Sequence, residues 1–207
     1  MKRPASRSAL LGWLALVAAS SAWACNDPID HTITKDTSGI WNPNVYRGLQ
    51  LALTVSQVGV ALYEGDESRL GDTAWRGIDS QIIGAVSAEV LKRAFTRVRP
   101  SETNDPCMFF AGDSNESFPS GEATLAAATV TPWILEYGKD YPAVYALTLF
   151  PLYIGAARIK NQAHWQTDVL AGWAVGGLSG WYAYERDTPL VLQLMPHGIY
   201  VGLKKKF

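Results

Sequence analysis

Between Gly48 and Tyr184 of this 207-residue chain, four long stretches carry no charged residue: Gly48–Tyr63, Ala123–Leu135, Tyr141–Ala157 and Val169–Tyr184. Polar breakers separate them, such as Glu64-Gly65-Asp66-Glu67-Ser68 and Gly138-Lys139-Asp140. Apolar runs of 13 to 17 residues exceed the usual strand and read as buried helices. A further helix is expected from Asp72 to Val98, where Ile78, Ile82, Ala85, Val86, Val90 and Ala94 recur at helical spacing and Pro100 supplies a stop. The others are expected at Ser120–Tyr137 with Pro132 inside, Ala143–Ile159 with Pro151 inside, and His164–Tyr184. In the last, Gly172, Gly176, Gly177 and Gly180 would let neighbouring helices approach closely. The fold class is therefore all-α: one bundle of five or six helices with a short C-terminal extended tail.

The ends read differently. Lys2, Arg3 and Arg7 precede an apolar stretch, Ala9–Ala19, and Ala22-Trp23-Ala24 is a small-x-small cleavage site, so residues 1–24 read as a secretory signal peptide. Residues 25–46 are polar and turn-rich, an extended lead-in. Residues 47–188 form the helical domain, and 189–207 a tail or small hairpin around Met195-Pro196-His197-Gly198. Cleavage would remove three cations and no acid, taking the net charge from −1 to −4. Such a chain, with no basic run apart from Lys204-Lys205-Lys206, is a poor nucleic-acid binder. Cys25 and Cys107 form a candidate disulfide of an exported protein, with lipidation of Cys25 the alternative. None of the charge-free runs reaches the about 20 apolar residues of a spanning helix. A soluble periplasmic protein is the expectation, and a bundle in or on the inner membrane the alternative.

Three polar segments carry chemistry. Lys92 and Arg99 are seven residues apart, two turns on one face of the expected helix, with Arg93 and Arg97 beside them as a solvated basic stripe. Ser120, after Pro119 and before Gly121, suits a helix N-cap, where unpaired N–H groups and the helix dipole attract an anion. Arg158 ends an apolar run, and its planar fork suits phosphate. His164 and Asp168 are one turn apart, so the carboxylate can accept one ring N–H and leave the other nitrogen to act as nucleophile or base. Each segment alone is also an ordinary cap, stripe or surface pair. Trp165 is placed to wall a pocket, Ser114, Asn115, Glu116 and Ser117 to meet a leaving group, and His31 and His197 to be structural or exposed.

In order and spacing, the segments resemble the type 2 phosphatidic acid phosphatase and vanadium haloperoxidase superfamily. The family pattern is Lys, six residues, Arg-Pro; Pro-Ser-Gly-His; and Ser-Arg, five residues, His, three residues, Asp. Lys92, Arg99 and Pro100 match the first segment, Pro119, Ser120 and Gly121 three of four in the second, and Arg158, His164 and Asp168 the third, with Ala157 in place of serine. The resemblance covers about residues 47–187. It implies phosphate bound by Lys92, Arg99, Arg158, Ser120 and the Gly121 amide, attack by His164 to form a phosphohistidine, and Asp168 orienting the ring. It implies neither metal nor cofactor for hydrolysis of a phosphorylated small molecule or a lipid phosphate. Glu122 stands where the family has the histidine that protonates the leaving alcohol. Glu122 could replace that acid, pair with an arginine in a slower enzyme, or mark a chain that only binds phosphorylated ligands. A vanadium haloperoxidase is a further alternative.

Overall fold

The computed structural model describes residues 29–190 except Asp113. The expected signal peptide, Cys25 and its pairing with Cys107, and the C-terminal tail with His197 lie outside the described residues, save for the tail's first two positions. Five α-helices make the bundle: α1 Pro43–Glu64, α2 Arg69–Phe95, α3 Gly121–Tyr137, α4 Leu149–Lys160 and α5 Gln166–Glu185, with no strand among the described residues. Two 3-10 helices, Gly39–Trp41 and Pro142–Thr148, lead into α1 and α4.

The helix ends follow local chemistry. Asn42 caps α1 by accepting from the Asn44 N–H, with Pro43 in the first turn, and Gly65 ends it at φ 71°, a conformation cheap only for glycine. Ser68 then caps α2 by accepting from the Gly71 N–H. The end of α2 departs from expectation. It stops at Thr96, in the left-handed region at φ 34°, and Pro100 is not the stop. Residues 95–98 instead pair with the following loop: Val98 N–H donates to Met108 O, Phe110 N–H to Phe95 O and Ser117 N–H to Arg97 O. Arg99 is therefore not on the helix that carries Lys92. Likewise α5 begins at Gln166, so His164 sits in the loop before it.

The packing of α3 on α5 holds the site in place. A methyl group at Gly172 would press on the Ser120 carbonyl oxygen, at Gly176 it would collide with the Thr124 carbonyl oxygen, and at Gly180 with Thr131. Gly177, counted with them in the sequence, faces open space. Small residues at these crossings let two backbones touch. Gly176→Val is expected to cost about 3 kcal/mol or more by overpacking, a fall of roughly 10 °C in melting temperature. Gly177→Val should lower melting far less. Equal losses would remove the close approach as the cause.

The bundle keeps an apolar core but also leaves apolar faces uncovered. On α1, the inward face mixes Tyr46 and Ala61 with polar residues. Gln50 donates to Thr129, Thr54 to the Gln81 side-chain amide oxygen, and Gln57 to the Ala74 backbone carbonyl. The outward residues Leu51, Val55, Val58 and Leu62 are exposed, as are Ile82, Val86 and Val90 on α2 and Leu149 and Leu152 on α4. The expectation that Gly48–Tyr63 is a buried helix is thus half right: it is a helix, but one face is uncovered. By length and composition one helical stretch among the described residues, Pro142–Lys160, could cross a membrane, and only 28% of it is buried.

Candidate active site

Four elements converge on His164. The loop after α4 carries it, joined to the Arg99–Pro100 loop by the Ser101 N–H on Gln162 O. The ring is fully buried, and its Nδ1 lies 2.6 Å from the Ser117 carbonyl oxygen. A carbonyl only accepts, so Nδ1 carries the proton and Nε2 keeps its lone pair when the ring is neutral. Burial, reinforced by Arg158, pushes the His164 pKa below its ordinary value despite the pull of Asp168 and Glu122. The histidine is then neutral, as a nucleophile must be.

Asp168 is arranged differently from the simple pair expected. Its Oδ2 is 3.8 Å from His164 Nδ1, too far for a good hydrogen bond. Instead Oδ2 accepts from Ser117 Oγ at 2.5 Å and from the Trp165 N–H at 2.9 Å, while Oδ1 accepts from Arg97 Nη1 at 2.5 Å. Asp168 therefore reaches His164 through Ser117, whose carbonyl grips the ring. The expected roles of Ser117 and Trp165 change accordingly. Ser117 lies fully buried behind the histidine, and Trp165 is a core residue donating to Val98 O. Asn115 folds its own loop by donating to Ala111 O.

The cradle lies on the other side. Ser120 caps α3 as expected, accepting from the Ala123 N–H at 3.5 Å, and its own N–H donates to Asp168 O at 2.9 Å. Lys92, in the last turn of α2, reaches over the start of α3: a methyl at Gly121 would lie 3.5 Å from its Nζ. Arg158, in the last turn of α4, is buried; its Nη1 donates to the Tyr46 hydroxyl at 2.5 Å, and its Nε is buried without a partner. Arg99 is half-buried, and its guanidinium makes no hydrogen bond or ion pair among the described residues.

Glu122 sits between cradle and histidine. Oε1 is 3.2 Å from Arg158 Nη1 and 3.4 Å from Arg47 Nη2, and Oε2 is 4.0 Å from His164 Nε2. Burial favours its neutral form, but Arg158 and then His164 and Arg47 outweigh burial and hold its pKa below the ordinary Glu value. A groove of about 270 Å³ opens at Glu122 and runs between α1, α3 and α4, lined by Tyr46, Arg47, Leu51, Thr54, Leu125 and Ile154 among others.

Sequence reasoning missed four residues here: Arg97, Asp30, which accepts from Arg97 Nη2 at 2.7 Å, Arg47 and Tyr46. In the sequence Arg97 reads as part of a solvated stripe, yet it is fully buried. Only the early end of α2 turns it inward, and nothing in the spacing announces that. Tyr46 and Arg47 precede the first charge-free run, a mild signal that they stand at the mouth of the bundle.

The sequence profile of the PAP2 superfamily matches residues 79–189, more than half of the chain, and spans all three motif segments. The chain belongs to the PAP2 superfamily. Lipid A 1-phosphatase of Rhizobium etli is 31% identical over 165 residues, covering 73% of this chain and 64% of that one. Lipid A 1-phosphatase of Porphyromonas gingivalis is 38% identical over 97 residues, 45% of this chain and 19% of that one. The chain thus spans less than two-thirds of the length of either relative. A crystal structure of a transmembrane PAP2 type phosphatidylglycerolphosphate phosphatase from Bacillus subtilis has the same fold, with a TM-score of 0.53 at 22% identity over 85% of this chain and 92% of that one. This PAP2 chain keeps the superfamily's fold while carrying Glu122 in the Pro-Ser-Gly segment.

Proposed function

We propose that the chain is a membrane-embedded phosphatase acting on lipid phosphates through His164. The observation that carries the reading is the buried His164, its Nδ1 tied to Ser117 O and its Nε2 turned toward Glu122 beside the cradle. Phosphoryl transfer is mostly positioning and charge stabilisation, and Lys92, Arg99 and Arg158 supply the charge, with the Ser120 hydroxyl and the Gly121 amide at a helix N-terminus. His164 Nε2 attacks phosphorus; the P–N bond forms as the bond to the leaving oxygen breaks. Water then attacks the phosphohistidine, releasing phosphate and restoring the imidazole. Asp168 acts as a positioning residue through Ser117. Glu122, held ionised by Arg158 and Arg47, is not the proton donor at neutral pH. The leaving oxygen takes its proton from water instead.

The membrane reading rests on the exposed apolar side chains of the bundle. An apolar surface this extensive on α1, α2 and α4 is not what a freely soluble monomer presents. The curated relatives are named for a lipid substrate, and the groove at Glu122 opens beside that apolar surface. Cell fractionation provides the test. The protein should stay with membranes through high-salt and alkaline washes and come out only with detergent. Recovery in the soluble periplasmic fraction would overturn the membrane placement. For the activity, inorganic phosphate release from a phosphatidic acid in mixed micelles should exceed that from a short-chain alkyl phosphate at equal concentration. The reverse order would reject the lipid preference.

A further inference from the structure

Behind His164 lies a chain of three buried ion-paired groups, Asp30, Arg97 and Asp168, of which the proposed reaction uses only Asp168. The side chains of Asp30, Arg97 and Asp168 are 0% exposed. Arg97 Nη2 donates to Asp30 Oδ2 at 2.7 Å, and Nη1 donates to Asp168 Oδ1 at 2.5 Å and to the Thr167 hydroxyl at 2.8 Å. Its remaining donors go to the Pro106 carbonyl, and its plane packs between the rings of Phe109 and Trp165. Asp30 in turn accepts from the Thr167 N–H at 2.8 Å and from its hydroxyl at 2.6 Å. The guanidinium is thus completely spent, on fixed partners from three separate segments.

Burying three charges is expensive, and an apolar replacement often stabilises a fold as well or better. The arrangement therefore calls for a reason beyond holding the chain together. Its position supplies one. Asp168 is the end of the network nearest the histidine, at 3.8 Å from Nδ1, and shares Ser117 with it. We propose that Arg97, clamped by Asp30 of the N-terminal segment, is a positioning residue that fixes Asp168 and thereby sets the orientation and the charge of His164. Asp30 makes that segment, which bears no motif, part of the active-site apparatus. The proposal rests on the reading of His164 as the reactive residue.

The sign of the electrostatic effect can be worked out. His164 is faced by Asp168 from α5, Glu122 from α3 and Arg158 from α4, with Lys92 of α2 over Gly121 and Arg97 and Asp30 behind Asp168. Arg97→Met removes a cation and leaves two buried carboxylates, so the imidazolium is favoured and the ring should titrate at higher pH. Asp30→Asn removes an anion and leaves Arg97 in excess, so the ring should titrate at lower pH. A purely structural part would not produce opposite shifts from two residues in direct contact.

The test uses the full chain in detergent, with histidine labelled by nitrogen-15. The His164 signal is the one absent from a His164→Gln spectrum, since the chain has only three histidines. Arg97→Met should raise the His164 midpoint by about one pH unit, and Asp30→Asn should lower it. In both, kcat should fall more than KM rises. Midpoints unchanged from wild type, or displaced in the same direction, would overturn the proposal. If Arg97→Met does not fold, Asp30→Asn decides alone: with an unchanged circular dichroism spectrum, a lower midpoint supports the clamp and an unmoved one refutes it. A wild type without phosphatase activity would reject the proposed function and leave the titration still decisive.

Discussion

Replacing His164 by alanine should reduce turnover by roughly a thousandfold or more, because it removes the atom proposed to form the covalent bond to phosphorus. The expectation has a direct chemical signature. Wild-type protein mixed with a phosphorus-32-labelled substrate and quenched in alkali should carry label on protein, since a phosphohistidine survives base and is lost in acid. His164→Ala should carry none. Label persisting on the variant would assign the nucleophile to another residue. A wild type that never takes up label, yet melts at higher temperature in the presence of phosphate or vanadate, would instead be a binder of phosphorylated ligands. Asp168→Asn should be milder than His164→Ala, because the proton on Nδ1 is held by the Ser117 carbonyl and not by the carboxylate.

The places of Arg158 and Ser120 were legible in the sequence because they depend on short-range rules, whereas His164 lies in a loop and not on the expected helix. An N-cap serine announces itself, and an arginine at the end of an apolar run stands where a buried helix surfaces. Four of the five helices were legible for the same reason, since charge-free runs between polar breakers leave little choice, and α2 was legible from apolar residues at helical spacing. Arg97 was not. Its burial depends on Thr96 entering the left-handed region so that residues 95–98 can pair with the loop beyond, a long-range bargain that overrides helix propensity. The same early end removed Arg99 from the face of Lys92. Asp30 was hidden for a different reason: an aspartate in a polar lead-in looks solvated until its arginine is found 67 positions away. The direction of the bundle's polarity was also illegible. Counting charge-free residues finds helices, but it does not say which face of each is covered. The exposure of Leu51, Val55, Val58 and Leu62, opposite the inward Gln50, Thr54 and Gln57, shows that an apolar side of α1 faces out.

Glu122 carries the other large effect, and it is a gain. Introducing histidine at this position should raise turnover of an alkyl phosphate by roughly tenfold or more at neutral pH, because a group titrating near the working pH can protonate the departing oxygen. Nitrophenyl phosphate, whose leaving group needs no proton, should be turned over at nearly the wild-type rate. Glu122→Gln should change neither substrate's kcat by more than a few-fold, and should lower KM by removing an anion that competes with phosphate for Arg158. The pH dependence has a definite sign. The Glu122 pKa is held below the ordinary value, so the carboxyl becomes a proton donor only as pH falls through that depressed value. His164 is depressed too and stays neutral, hence nucleophilic, further into the acid range than an ordinary histidine. The ratio of alkyl to aryl turnover should therefore climb as pH is lowered, and that climb should vanish in Glu122→Gln. A collapse of alkyl turnover in Glu122→Gln at neutral pH, with aryl turnover spared, would make Glu122 the working acid. The pairing with Arg158 would then describe the resting enzyme and not the one that has bound phosphate.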